Sequence, residues 1–100
     1  MYVINDIAYS EDFNNTDLKI EKIKIVSELS MLVTFSSGEK RIFDAKYLLK
    51  YPIYEKLQDF SIFKEAYIEN GIIVWNNGEI DIGVNEVYNN SFIYEQELVI

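Results

Sequence analysis

Ile68-Glu69-Asn70-Gly71-Ile72-Ile73-Val74-Trp75-Asn76-Asn77-Gly78-Glu79-Ile80-Asp81-Ile82 is the stretch that decides the fold. It holds two Asn-Gly steps, Asn70-Gly71 and Asn77-Gly78, with an apolar run between them. Asn-Gly is the strongest short-range signal for a two-residue hairpin turn, because both positions tolerate positive φ. Two such turns pair Ile68 with Ile73, Ala66 with Trp75, Trp75 with Ile80, and Ile73 with Ile82. Side chains alternate across a strand, so Ala66, Ile68, Ile73, Trp75, Ile80 and Ile82 share one apolar face. The other face takes Glu65, Tyr67, Glu69, Ile72, Val74, Asn76, Glu79 and Asp81. A slip of one residue would destroy this agreement. The stretch predicts a three-strand meander, with Gly71 and Gly78 as turn residues. Its side-chain chemistry names no activity.

Working outward, Met1 to Tyr9 reads as a short strand interrupted at Asn5-Asp6, and Ser10 to Asp17 as a polar, acidic loop. Leu18 to Val26 has a helix as its rival reading, since Glu21, Lys22 and Lys24 suit either, and its β-branched Ile and Val content favours a strand. Its apolar frame shifts between Ile20 and Ile23, which predicts a bulge or a late start. Ser27 to Ser30 is a connecting turn. Met31 to Phe35 and Lys40 to Phe43 form a second hairpin around Ser36-Ser37-Gly38-Glu39. With Ser37-Gly38 as its turn, Val33, Phe35 and Ile42 share a face, and Leu32 and Phe43 point the other way. Asp44 is placed to N-cap a helix over Ala45 to Lys50. Tyr51-Pro52 ends that helix, since the residue before proline leaves the helical region. Ile53 to Leu57 is a loop or single turn. Asp59 caps a second short helix, Phe60 to Lys64. Gly83 breaks the last meander strand, and Val84 to Tyr88 reads as one helical turn. Asn89 to Ile100 is an aromatic and Glu-rich tail, expected to be loosely ordered. The expected fold is a single α+β domain over residues 1–100. It combines antiparallel β-hairpins and a meander with two or three short helices packed on the sheet.

Composition narrows the function classes. The chain is 49% hydrophobic and 15% aromatic over 100 residues, ample material for one core. No apolar run approaches the roughly 20 residues that cross a bilayer. Met1 to Asp6 has no basic region before its apolar residues, unlike a secretory signal. There is no cysteine, which fits a reducing cytoplasm. The expectation is a cytoplasmic protein with no membrane partner. There is also no histidine, which removes the commonest general base along with the thiol nucleophile and the usual zinc ligands. Seventeen acidic against nine basic residues set a net charge of −8. Such a chain repels phosphate backbones, so direct nucleic-acid binding is not expected. The charge serves solubility, or draws a basic protein partner.

Three blocks resemble a known family. They are Leu32-Val33-Thr34-Phe35-Ser36-Ser37-Gly38-Glu39-Lys40-Arg41-Ile42-Phe43-Asp44, Tyr54-Glu55-Lys56-Leu57-Gln58-Asp59-Phe60-Ser61-Ile62-Phe63, and Gly71 to Ile82 followed by Val87-Tyr88. Their order and spacing resemble the bacterial family known as the domain of unknown function numbered 2442, over nearly the whole chain. Two departures stand out. Ser10 to Lys19 is longer and more acidic than in the family, and Gly83-Val84 replaces a frequent Ala-Pro. The resemblance implies a small α+β fold and no established activity. It also implies gene neighbours suspected of toxin–antitoxin behaviour.

The candidate residues follow. Trp75 faces the core or anchors a partner. Asp44 is a helix cap rather than an acid or base. Glu79 and Asp81 lie two apart on a strand, with Glu65 and Glu69 on the same sheet, as an acidic patch. Four carboxylates suit a hard cation, but no cation-loop spacing is present, so neither a metal nor another cofactor is expected. A paired-carboxylate hydrolase needs its acids across a cleft, which a flat sheet face does not offer. No catalytic residue is assigned and no enzyme activity is expected. Tyrosine is enriched at interfaces, and Tyr67, Val74, Glu79, Asp81, Tyr88 and Tyr94 make the expected protein-binding surface. The alternative places Val74, Ile72 and Tyr67 under a short helix. The functions in view are a binding module, accessory or antitoxin-like partner of a small protein, and an acidic decoy for the basic groove of a nucleic-acid enzyme. A homodimer through the last meander strand or the tail is also open.

Overall fold

The computed structural model describes residues 17–94. The strand expected at Met1 to Tyr9 and the end of the tail lie outside them. Strands β1 (Ile20–Ser27), β2 (Ser30–Phe35), β3 (Lys40–Asp44) and β7 (Ser91–Ile93) form one antiparallel sheet in the order β1-β2-β3-β7. Strands β4 (Tyr67–Glu69), β5 (Ile72–Trp75) and β6 (Ile80–Ile82) form a second antiparallel sheet in chain order. Two 3₁₀ segments, Ala45–Lys50 and Pro52–Gln58, and a short helix α1 (Phe60–Phe63) connect the sheets. Helix α2 (Val84–Asn89) leads into β7. The fold is α+β.

The meander forms as its residues dictate. Ile68 pairs with Ile73, Ile73 with Ile82, and Trp75 with Ile80. Asn70 and Gly71 both take positive φ, as do Asn77 and Gly78. The second turn closes with the Glu79 N–H donating to the Asn76 carbonyl at 3.1 Å. Asn76 also adopts positive φ, which Asn tolerates better than other residues with a Cβ. The expected pair of Ala66 with Trp75 falls outside the ladder, since β4 starts at Tyr67.

The bulge in β1 is present, a register shift between Ile20 and Lys22. It lets Ile20 and Ile23 both turn inward although three apart. The second hairpin departs from expectation. Thr34 pairs with Lys40, so the loop has three residues between Phe35 and Glu39 rather than two. Gly38 at φ 94 makes the bulge that closes a three-residue loop. This one-residue difference inverts β3. Phe43 pairs with Met31 and is buried with Met31, Val33 and Phe35, whereas Ile42 pairs with Leu32 on the outward face.

Both sheets contribute to a single cluster that includes Ile20, Val33, Phe43, Leu57, Ile73 and Val87. Trp75 belongs to it, fully buried. Its ring stacks on Phe63 at 5.9 Å, and its indole N–H donates to the Phe63 carbonyl at 3.1 Å. The Ile20 N–H reaches the Gly71 carbonyl at 2.9 Å, tying β1 to the first meander turn.

Local capping follows the sequence. Asp44 Oδ1 accepts from the Lys46 N–H at 3.0 Å, although the segment it caps is 3₁₀. Asp59 Oδ1 accepts from the Ser61 N–H at 3.0 Å and from its hydroxyl at 2.7 Å. Tyr51 sits in extended backbone before Pro52. The span expected as loop or single turn after Pro52 is 3₁₀ to Gln58 and buries Leu57. The tail is ordered at its start, where β7 pairs Phe92 with Ile42 and Ile93 with Arg41.

Candidate functional site

The meander places Tyr67, Val74 and Asp81 in one row across its three strands. Glu69, two residues from Tyr67, shares their face. Tyr67, Glu69 and Asp81 are exposed, but Val74 is only 4% exposed. Val74 is thus no contact residue: it sits on the central strand between two flanking side chains. Glu79 does not share the face either. Its backbone is in the αR region of the turn, and its carboxylate is held by Lys56 Nζ at 3.3 Å and by Asn76 Nδ2.

Two of the tyrosines expected on this face are elsewhere. Tyr88 is on helix α2 and packs against the first sheet. It meets the Phe35 ring edge-on at 5.2 Å, lies under the Arg41 guanidinium at 4.1 Å, and donates its hydroxyl to Glu39 Oε1 at 2.8 Å. Burial and the Glu39 carboxylate raise its pKa, with Arg41 opposing. Tyr94 extends β7, its N–H donating to the Lys40 carbonyl at 3.2 Å. Of the expected surface, Tyr67 and Asp81 remain together. Tyr67 also lines a recess of about 300 Å³ with Ser61, Ile62, Glu65, Asn76 and Asn77.

A larger groove opens beyond the outer edge of β6. It measures about 490 Å³ and is lined by Tyr51, Pro52, Ile53, Tyr54, Ile82, Gly83 and Glu86. Proline at the start of its 3₁₀ segment holds Tyr51 extended and projects Ile53, which is 70% exposed. The Tyr54 hydroxyl donates to the Asp81 carbonyl at 3.0 Å, so the β6 edge carries one of its orphan acceptors satisfied. The Tyr47 hydroxyl donates to Glu86 Oε2 at 2.7 Å. Burial first, then nearby carboxylates, raise the pKa values of both Tyr47 and Tyr54. Both therefore remain neutral hydroxyls at ordinary pH. The groove offers aromatic and aliphatic contact area, hydroxyls and a carboxylate, which are the groups of a binding surface.

Tyr51, Ile53, Tyr54 and Glu86 were not singled out from the sequence. The signal was there: Tyr51-Pro52-Ile53-Tyr54 places three large apolar side chains around a proline, more than a solvent loop requires. Among the described residues no group of three or more acidic side chains is placed to hold a metal ion. No helix among them is long and apolar enough to cross a membrane.

The family described as "Protein of unknown function (DUF2442)" matches residues 20–92. The chain belongs to this family. The match runs from the first residue of β1 into β7, so the second sheet, the groove and all but the last residue of the first sheet of this DUF2442 chain lie inside it. No curated protein and no solved structure matches the chain.

Proposed function

We propose that this DUF2442 chain is a non-enzymatic protein-binding module, an accessory or antitoxin-like partner of a small basic protein. The groove beside β6 carries this reading. Tyr51 and Ile53 are exposed apolar groups at 46% and 70%, and Glu86 lines the same groove. The ion pairs among the described residues are Arg41–Glu39 and Lys56–Glu79, so neither Glu86 nor Asp81 has a cationic partner among them. An apolar centre bordered by the Glu86 carboxylate suits an extended segment carrying Lys or Arg.

The test is affinity purification of the tagged protein from its host, eluted in salt steps. It is repeated with Tyr51→Ala/Ile53→Ser and with Glu86→Gln. A small basic protein retained by the unmodified chain and lost by the double variant is the expected outcome. Retention of the same partner by every variant would remove the groove from the interface.

A second reading has its own support. Glu65, Glu69 and Asp81 are exposed acids with no ion-pair partner among the described residues, as an acidic decoy for a nucleic-acid groove requires. Recovery of a nucleic-acid enzyme, released at moderate salt and displaced by its nucleic acid, would favour it.

A further inference from the structure

The outward face of the four-stranded sheet has the opposite character to the rest of the molecule. One row across it is Lys22–Thr34–Lys40, and the next is Lys24–Leu32–Ile42–Phe92. The rows are two residues apart along each strand, about 7 Å. Leu32 and Ile42 are partly exposed, and neither joins the core cluster or packs against it. Phe92, at the free edge, is 67% exposed. It also lines a cleft of about 400 Å³ with Asp44, Lys46, Tyr47 and Asn90. Lys22, Lys24 and Lys40 are exposed, and none is ion-paired among the described residues. The one carboxylate at a paired position of this face, Asp44, is engaged as a helix cap. A chain of net charge −8 thus groups three of its nine basic residues around an apolar stripe.

We infer that this face docks an acidic, apolar-rich segment of a protein partner, separate from the groove beside β6. The stripe supplies buried contact at the centre and the lysines supply the rim that selects carboxylates. A second copy placed face to face would bring lysine onto lysine. A nucleic acid would meet the field of the whole acidic chain.

The experiment is a ¹⁵N NMR titration of the full chain with three probes. The first is a peptide alternating Glu with Leu, Val and Phe. The second is the same peptide with Lys in place of Glu, and the third is single-stranded poly(U). The expected result is that the acidic peptide alone shifts the amides of Leu32, Ile42 and Phe92. Its affinity falls about tenfold in Lys22→Glu/Lys24→Glu/Lys40→Glu, because several rim pairs are reversed together. A Phe92→Ser variant weakens it as well, and both variants keep the melting temperature because the altered groups are exposed. Silence of these amides at millimolar acidic peptide overturns the inference. So does an equal response to the lysine peptide, or binding of poly(U) at this face. Self-association that the lysine reversals abolish would assign the face to a second copy and also overturn it. None of these outcomes touches the groove beside β6, whose variants are read separately.

Discussion

Trp75 concentrates more of the fold than any other side chain. It is fully buried, stacked on Phe63, and its N–H satisfies the Phe63 carbonyl. Truncation leaves a large cavity and removes one of two hydrogen bonds to the Phe63 carbonyl, which keeps the Ala66 N–H at 3.2 Å. Trp75→Ala is expected to cost about 3–5 kcal/mol by urea unfolding, a large part of a small domain's stability. Two glycines separate backbone from side-chain effects. Gly38 has φ 94, and a Cβ added there would meet nothing within 4 Å, so Gly38→Ala carries the left-handed cost alone, about 1 kcal/mol. Gly71 has φ 81, and an added Cβ would sit 3.0 Å from Lys19 Cβ and Cγ. Gly71→Ala is therefore expected to destabilise more than Gly38→Ala in the same assay. Asp59 supplies a pH dependence. Its hydrogen bonds from the Ser61 side chain and backbone lower its pKa. A lowered folded-state value means the cap's contribution is complete above the unfolded carboxylate range. It is lost as pH falls through the folded value, below about pH 4. Thermal melts of wild type and Asp59→Ala should differ at pH 7 and converge in that acid window.

The two kinds of hairpin show how turns set faces. In the meander, Asn-Gly specifies the turn chemistry and the apolar alternation specifies the register, and they agree. In the β2–β3 hairpin both faces carry apolar residues, so alternation does not discriminate between Ile42 and Phe43 as the inward residue. The loop length decides it, and Ser36-Ser37-Gly38 suits a three-residue loop with Gly in the bulge as well as a two-residue turn. Deleting Ser37 leaves Ser36-Gly38 as a two-residue loop between the same pair, Phe35 and Glu39, so Phe43 is expected to keep its pairing with Met31 and its burial. The expected readout is a near-ultraviolet aromatic signal kept intact, and its collapse would show that the strand slipped by one instead. The caps at Asp44 and Asp59 were legible because an acid before a short apolar run has one local role. The 3₁₀ geometry that follows Asp44 was not, since i→i+3 and i→i+4 bonding share the same cap chemistry.

At the level of the assembled domain, the interface expected from the sequence is divided. Tyr67 and Asp81 share the meander face with the buried Val74 paired between them, Tyr88 is on α2 against the first sheet, and Tyr94 follows β7. Alternation along a strand says which side chains share a face, but not which elements lie beside that face. The groove beside β6 arises because the Pro52–Gln58 segment packs against a strand far along the chain, joined by Tyr54 and Asp81. The two proposed surfaces also differ in sign, so salt should weaken binding at each while charge reversals separate them. Lys22→Glu/Lys24→Glu/Lys40→Glu is expected to leave capture of a basic partner intact, and Glu86→Gln to leave the acidic peptide's binding intact, both measured in low salt.

The amino-acid sequence alone determined the meander and its register, the bulge at the start of β1, the caps, the proline break and the α+β class. Each is set by backbone preference or short-range periodicity, which act within a few residues. Only the tertiary structure decided the inward face of β3, the burial of Val74, the order of β7 on β3, and the neighbours that make a groove and a lysine-rimmed face. Those depend on contacts between residues far apart in the chain, where a one-residue change of loop or register exchanges an exposed side chain for a buried one.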